Sequence, residues 1–181
     1  MGKKVLLIVT VGALLAWWAV NEHYRRAQYR GEGQGPLVTD AYAAKVIRPG
    51  DTWMIFLRAE DPDGDMKSIA AALWQAGVGD YPTEVTIIKP EDARQFSGYL
   101  SMRTPGGLNI NWNELELTVI VQDNQGNRSR PVKLPLTFDM GAAKQEIPEK
   151  WQEAANHRLA VLMVDIQSSK SFNRGGSGGS N

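Results

Sequence analysis

The chain has 181 residues, and its 20 basic and 20 acidic side chains cancel to a formal net charge of zero. Domains that bind nucleic acid normally carry a basic patch or a strongly basic balance, so this composition argues against a nucleic-acid partner. The absence of cysteine excludes disulfides, thiol catalysis and cysteine-ligated metal sites. The 43% apolar content can fill the core of one domain of about 100–120 residues.

The N-terminal residues have the features of one membrane-spanning helix. Two lysines precede the apolar run VLLIVTVGALLAWWAV at 5–20, and the run approaches the length of about 20 residues that a span needs when its aromatic end lies at the interface. A cleaved signal peptide is the alternative, but bulky Trp17 and Trp18 stand where cleavage requires small residues. We therefore predict an uncleaved anchor over 1–24, whose membrane residues include Val5, Leu6, Leu7, Ile8, Leu14, Leu15, Trp17 and Trp18.

Basic residues flank this run on both sides, so the positive-inside rule gives little direction. Anchors of this form usually insert with a cytoplasmic N-terminus, and we predict a single-pass protein of the inner (cell) membrane with a periplasmic or other extracytoplasmic domain. Gly12 and Ala16 form a small-xxx-small pair that permits close approach of another membrane helix, or they are ordinary small residues of a short anchor. Residues 25–36 end in GEGQGP and predict a flexible juxtamembrane spacer.

Residues 37–139 consist of short alternating runs separated by turns. The clearest runs are 52–59, in which Trp53, Ile55, Leu57 and Ala59 share one face, and 114–122. An irregular edge strand is predicted at 37–47, and further strands at 66–76, 83–88, 98–103 and 132–138. The alanines of 66–76 also fit a short helix.

About seven short strands at this spacing predict an all-β protein, an immunoglobulin-like (Ig-like) antiparallel β-sandwich. Pro135 is predicted at an edge position, because proline has no backbone donor for a sheet ladder. Trp74 is predicted to be buried on the third strand, where such sandwiches often bury a tryptophan.

Two acidic turns, AEDPDGD at 59–65 and QDNQGNRS at 122–129, follow predicted strands. They resemble the paired turns of bacterial Ig-like, PKD-like and cadherin-like extracellular modules. The resemblance covers about residues 37–138 and implies the sandwich fold. It implies no particular activity, because such modules serve as spacers, adhesins and subunits.

Asp61, Asp63 and Asp65 in the first turn, and Asp123 in the second, are candidate calcium ligands, since Ca²⁺ prefers six to eight oxygens. However, neither the glycine nor the twelfth-position glutamate of an EF-hand loop is present, and cadherin-like sites also need carboxylates from a neighbouring module. We favour the interpretation that these carboxylates accept hydrogen bonds from the turn backbone. We therefore predict no metal and no cofactor.

Residues 140–167 have a different sequence pattern from the alternating runs that precede them. Ile147-Pro148-Glu149 predicts a helix start, and Trp151, Leu159, Leu162 and Met163 then recur at helical spacing. The run LAVLMV at 159–164 fits a strand equally well. Either form has an apolar surface that needs cover from the sandwich, the membrane or another chain. Residues 168–181 form a Gly/Ser-rich tail.

Met54 and Phe56 lie on the side of their strand opposite the predicted core, where a solvated sheet has polar residues. Either they contact a partner, or the C-terminal extension folds over them. Trp112 in the loop 109–113 is another candidate. The predicted partner contacts are Gly12, Ala16, Met54, Phe56, Trp112, Trp151, Leu159, Leu162 and Met163.

No nucleophile-elbow, Walker or Rossmann pattern is present, and His23 and His157 have no catalytic partner at an interpretable spacing. We predict that the protein is not an enzyme and has no small-molecule substrate. The leading hypothesis is a non-catalytic accessory or scaffolding subunit of a bacterial inner-membrane complex, with other membrane subunits and the lipid bilayer as partners. The alternative is a surface adhesion or ligand-binding module, in one version dependent on calcium.

Overall fold

A computed structural model describes residues 35–106 and 114–167. Within these ranges the chain forms ten strands and three short 3-10 turns, at Pro90–Asp92, Glu149–Trp151 and Ala154–Asn156. The strands are β1 (Leu37–Ala43), β2 (Val46–Ile47), β3 (Thr52–Glu60), β4 (Met66–Gln75), β5 (Gly79–Asp80), β6 (Glu84–Ile87), β7 (Gln95–Arg103), β8 (Glu114–Asp123), β9 (Val132–Phe138) and β10 (Arg158–Leu162).

The strands build two sheets. The four-stranded sheet has the order β1-β3-β7-β10, and the six-stranded sheet has the order β2-β9-β8-β4-β5, with β6 also paired to β4. Pairing is antiparallel except for β10 on β7 and β2 on β9. The predicted edge strand at 37–47 is confirmed, but it divides at Ala44 so that its two halves border different sheets. Pro135 pairs with Glu116 of β8, while β2 reaches only Thr137 and Phe138 on the other side of β9, so the predicted edge position is confirmed.

The core lies between the two sheets and is filled from alternate strand positions. Trp53, Ile55 and Leu57 of β3 are fully buried, and so are Leu117 and Val119 of β8, as the alternation predicts. The Trp53 Nε1–H donates a 2.7 Å hydrogen bond to the Ala44 carbonyl. This bond satisfies the polar atom of a buried indole and holds the point where the chain changes sheets.

The strand at 66–76 is confirmed, but the burial of Trp74 is wrong. Trp74 is 44% exposed. Side chains alternate between the two faces of a strand, and Trp74 shares its face with Ala70 and Ala72, which point away from the core. The alternate residues Ile69 and Leu73 point inward. The core therefore uses Trp53 in place of Trp74.

The C-terminal extension belongs to the sandwich. The helix predicted from the spacing of Trp151 and the following apolar residues is wrong, and the alternative strand is present as β10. β10 pairs with β7 through Ala160 and Leu100, so it covers a backbone edge that β7 would otherwise expose. Leu162 enters the main core at the end of this strand.

Trp151 covers the outer face of the four-stranded sheet. Its ring centroid lies 5.6 Å from that of Phe56, and both residues are fully buried. Tyr42 and Tyr99 flank Phe56 at 6.3 and 5.9 Å, and the Arg58 guanidinium lies 4.7 Å from the Trp151 ring centroid. The extension therefore folds over this face, and Phe56 and Trp151 contact each other in place of a partner.

No helix within residues 35–106 and 114–167 is long and apolar enough to cross a membrane. The predicted anchor at 1–24, with Gly12 and Ala16, lies outside the described residues, as do the spacer up to residue 34, Trp112 and the tail at 168–181.

Candidate functional site: an apolar sheet face and an acidic turn cluster

The two acidic turns meet at one end of the sandwich, because the strands that carry them are neighbours: Met66 of β4 pairs with Asp123 of β8. Carboxylate oxygens of Asp61, Asp65 and Asp123 lie within 4.8 Å of one another, and we call these three residues the acidic cluster. The sequence named all three separately, and the structure brings them together. Asp63, the fourth candidate, is exposed and lies outside the group.

Asp61 organises the first turn. Its buried carboxylate accepts hydrogen bonds from the backbone N–H of Asp63 at 3.3 Å and of Asp65 at 3.2 Å. Burial raises the pKa of Asp61 above its usual value, and the neighbouring Asp65 carboxyl acts in the same direction, whereas the two backbone donors oppose the rise. The turn therefore holds a carboxyl group whose ionisation costs folding free energy.

Asp123 plays the equivalent part in the second turn. It accepts hydrogen bonds from the Asn127 backbone N–H at 2.8 Å and from the Asn127 side-chain amide at 2.7 Å. For Asp61 and Asp123, the backbone bonds confirm the prediction that the carboxylates accept hydrogen bonds from the turn backbone. Asp65 differs, because its Oδ1 is buried and accepts no hydrogen bond from the described residues.

The raised pKa of Asp61 gives a pH dependence of known sign. Above the ordinary aspartate value of 3.8 and up to the raised pKa, the folded protein binds more protons than the unfolded chain, so the free energy of unfolding falls as pH rises through this window. We expect Asp61→Asn to flatten that slope in urea unfolding measured from about pH 4 upward. Asp63→Asn is the control. An unchanged slope in Asp61→Asn would contradict the assignment.

A second feature is the outward face of the six-stranded sheet, which carries apolar side chains where a solvated sheet has polar ones. Trp74, Val85 and Ile87 are 44%, 60% and 69% exposed. The pairings of Ala70 with Val85 and Ile120 place small and branched apolar residues on the same face. We define the apolar outer face by Ala70, Ala72, Trp74, Val85, Ile87 and Ile120.

Polar groups border the apolar outer face. Lys133 and Glu116 form an ion pair at 2.7 Å on the neighbouring strands β9 and β8, and Glu116 pairs directly with Trp74. An apolar centre with a polar rim is typical of protein contact surfaces. This face is therefore the candidate interaction surface of the described residues.

The sequence prediction did not select this face. It placed Trp74 in the core and assigned no faces to the strand that carries Val85 and Ile87. The alternation of residues along β4 could have revealed this face. Ile69, Ala71 and Leu73 point toward the core, and the residues between and after them, Ala70, Ala72 and Trp74, point outward.

The partner contacts predicted in the C-terminal extension differ in accessibility. Met163 is 79% exposed, whereas Leu162 is buried and Leu159 packs partly against the core. Met54 of β3, another predicted contact, is half-buried and packs against the group formed by Phe56, Trp151 and Ala154. Of these four side chains, Met163 has the largest surface free for a partner.

No protein-family profile matches this chain, and no curated protein matches it significantly. Several solved structures match part of the chain at low identity. The PKD domain of an M14-like peptidase from a Thermoplasmatales archaeon is 20% identical, with 59% of this chain and 97% of that one covered and a TM-score of 0.42. The CARDB domain of a Pyrococcus furiosus protein, solved with di-metal ions, is 10% identical, with 57% and 85% covered and a TM-score of 0.33.

A chain from the human seminal-plasma complex of zinc 2-glycoprotein and prolactin inducible protein is 13% identical, with 55% of this chain and 92% of that one covered and a TM-score of 0.33. All three TM-scores lie below 0.5. The description of this chain as an Ig-like sandwich therefore rests on its own two sheets and their strand order.

Proposed function

We propose that this chain is a non-catalytic accessory subunit of a membrane-protein assembly, attached to the inner membrane through residues 1–24. The apolar outer face carries the proposal, because it leaves large apolar side chains in water on a folded domain whose core is already filled. A neighbouring subunit that covered Trp74, Val85 and Ile87 would remove this cost.

The path of the chain supports this arrangement. An ideal Cβ on Gly35 would lie 2.7 Å from the Asn127 Cβ, so the N-terminal segment joins the sandwich beside the acidic cluster. The described chain ends at the opposite end, where the Gln75 side chain donates a 3.0 Å hydrogen bond to the Gln167 carbonyl. An N-terminal membrane attachment would then leave the apolar outer face on the side of the sandwich, between its two ends.

Extraction of the full chain from its native membranes in mild detergent tests the proposal. We expect the wild-type chain to elute with a second subunit on size exclusion and Trp74→Glu to lose that subunit. Val46→Glu is the matched control, because Val46 is 47% exposed but lies on β2 at the far edge of the same sheet. A wild-type chain that elutes as a monomer, or equal loss in both variants, would contradict the proposal.

A calcium-dependent adhesion or ligand-binding module is the second candidate, and the acidic cluster favours it. Three carboxylates converge there, and the buried Asp65 Oδ1 accepts no hydrogen bond from the described residues. A divalent cation bound among these oxygens would offset the cost of ionising Asp61.

This candidate predicts that calcium raises the melting temperature. Extracellular calcium modules have dissociation constants of about 0.1–1 mM, so about 10 mM calcium would add roughly 1.4–2.7 kcal/mol to the free energy of unfolding. Asp65→Asn should abolish the shift, and magnesium serves as the control ion. An unchanged melting temperature would leave the cluster with the turn-forming role alone.

A further inference from the structure

We propose that β6 is a docking edge to which a partner protein adds an extended segment as a further strand of the six-stranded sheet. The segment has apolar side chains at alternate positions and an acidic side chain at the end that lies beside Lys89 and Arg158. This inference rests on the proposed function, because it specifies how the partner reaches the apolar outer face.

The hydrogen-bond register of β6 leaves half of its backbone groups unpaired. The Ile88 N–H donates a 2.8 Å bond to the Lys67 carbonyl of the adjoining chain, which makes residues 88 and 67 a hydrogen-bonded antiparallel pair. Because such pairs alternate along a ladder, the even-numbered residues of β6 bond to β4. The N–H and C=O groups of Val85 and Ile87 therefore point away from β4. Among the described strands β6 pairs with β4 alone, although β10 lies close to it.

The side chains of the same two residues lie on the apolar outer face. Val85 pairs with Ala70 and Ile87 with Ser68, so they stand beside small side chains that leave the surface flat. Val85 and Ile87 are also the most exposed members of that face. Outward donors and acceptors that recur every two residues, on the same residues that carry the apolar side chains, match an extended backbone with alternating apolar residues.

The charges at the end of β6 indicate the chemistry of the partner. A groove beside this end is lined by Ile87, Lys89, Asp92, His157 and Arg158. The Asp92 carboxylate lies 3.2 Å from the His157 Nε2, whereas Lys89 and Arg158 are exposed and have no ion pair among the described residues. Lys89 and Arg158 outnumber the single carboxylate of the groove, and an acidic side chain of the incoming segment would balance the remaining positive charge.

The size of the edge favours a partner over a second copy of this chain. β6 has four residues, or about 13 Å of extended chain, and Pro82 and Pro90 lie on either side of it. Pairing of two such edges would bury far less than the roughly 800 Å² per partner of a stable interface. A partner whose segment continues across the apolar outer face toward Trp74 would add the missing area.

The test uses the full chain in detergent and a fluorescent synthetic peptide with two aspartates followed by alternating valine and threonine. We expect saturable binding by anisotropy, slowed hydrogen exchange at the Val85 and Ile87 amides, and at least a tenfold loss of affinity in Ile87→Pro, which removes one outward N–H. Lys89→Glu should weaken binding of this peptide and strengthen that of a peptide with two lysines.

Val85→Lys combined with Ile87→Lys provides a second test that does not depend on a proline in the strand, and Val161→Lys on β10 is its control. Binding that is unchanged in Ile87→Pro and in the double lysine variant would overturn strand addition. Trp74-dependent recovery of the native subunit would then still support the proposed function. Concentration-dependent dimers that Ile87→Pro abolishes would overturn the inference in favour of a second copy.

Discussion

Replacement of Trp151 by alanine is expected to lower the free energy of unfolding by about 3–5 kcal/mol, the cost of truncating a fully buried large aromatic residue. The indole packs on Phe56 at a centroid distance of 5.6 Å and lies under the Arg58 guanidinium. Its loss would expose Phe56 and remove the cover that the extension provides on the outer face of the four-stranded sheet. Urea unfolding at one fixed pH measures the change.

Trp74→Ala is the matched control within the same chain, because Trp74 is 44% exposed. Surface substitutions of this kind usually change stability by about 0.5 kcal/mol or less. Trp151→Phe should fall between the two, since it keeps a ring on Phe56 and removes an indole N–H that has no hydrogen-bond partner within residues 35–106 and 114–167. Equal effects of the two alanine variants would show that the packing of Trp151 on Phe56 does not stabilise the sandwich.

Gly98→Ala is expected to displace β10 from β7. A Cβ on Gly98 would lie 2.6 Å from the His157 carbonyl oxygen and 2.8 Å from Leu159 Cγ, and the same carbonyl accepts a hydrogen bond from the Tyr99 N–H at 3.0 Å. Backbone must move to admit the methyl group, so the free energy of unfolding should fall by about 1–3 kcal/mol. Hydrogen exchange of the Arg158–Leu162 amides should accelerate with it.

Gly106→Ala is the control for this substitution, because the nearest atom to its Cβ, the Gly50 Cα, is 4.0 Å away. It should leave the exchange of β10 unchanged. If Gly98→Ala lowers stability while the β10 amides exchange at the wild-type rate, the close contact with the extension is not the cause.

The sequence allowed the central strands to be predicted because their alternation is strict. In β8, Leu115, Leu117, Val119 and Val121 all face the core, and one buried face fixes the register of such a strand. β3 follows the same rule at Trp53, Ile55 and Leu57. The burial of Phe56 on the opposite face of β3 could not be predicted from the local sequence. Phe56 is buried by Trp151, which lies 95 positions later in the chain.

The extension could not be predicted in the same way. The run LAVLMV is apolar at every position, so its periodicity does not distinguish a helix from a buried strand. The open edge of β7 decides the outcome, since backbone groups there pair with Arg158–Leu162. That edge forms only when β3 pairs with β7. The local sequence of the extension therefore does not show that the edge is there.

The sequence predicted which residues belong to the acidic cluster, but it did not predict that they lie close together. Turn chemistry identified Asp61, Asp65 and Asp123 individually, but their proximity depends on the pairing of β4 with β8. Conversely, the apolar outer face could have been found from the sequence. Once 66–76 is a strand with Leu73 inward, Trp74 must point outward.

Oxidative footprinting of Trp74 in native membranes, compared with the purified chain, tests the central claim that the apolar outer face contacts another subunit. Trp74 and Met140 are 44% and 47% exposed, and Met140 lies outside this face. We expect the oxidation rate of Trp74 to fall several-fold in the membrane while that of Met140 is unchanged. Equal Trp74 oxidation in both preparations, or protection of Met140 alone, would contradict the claim.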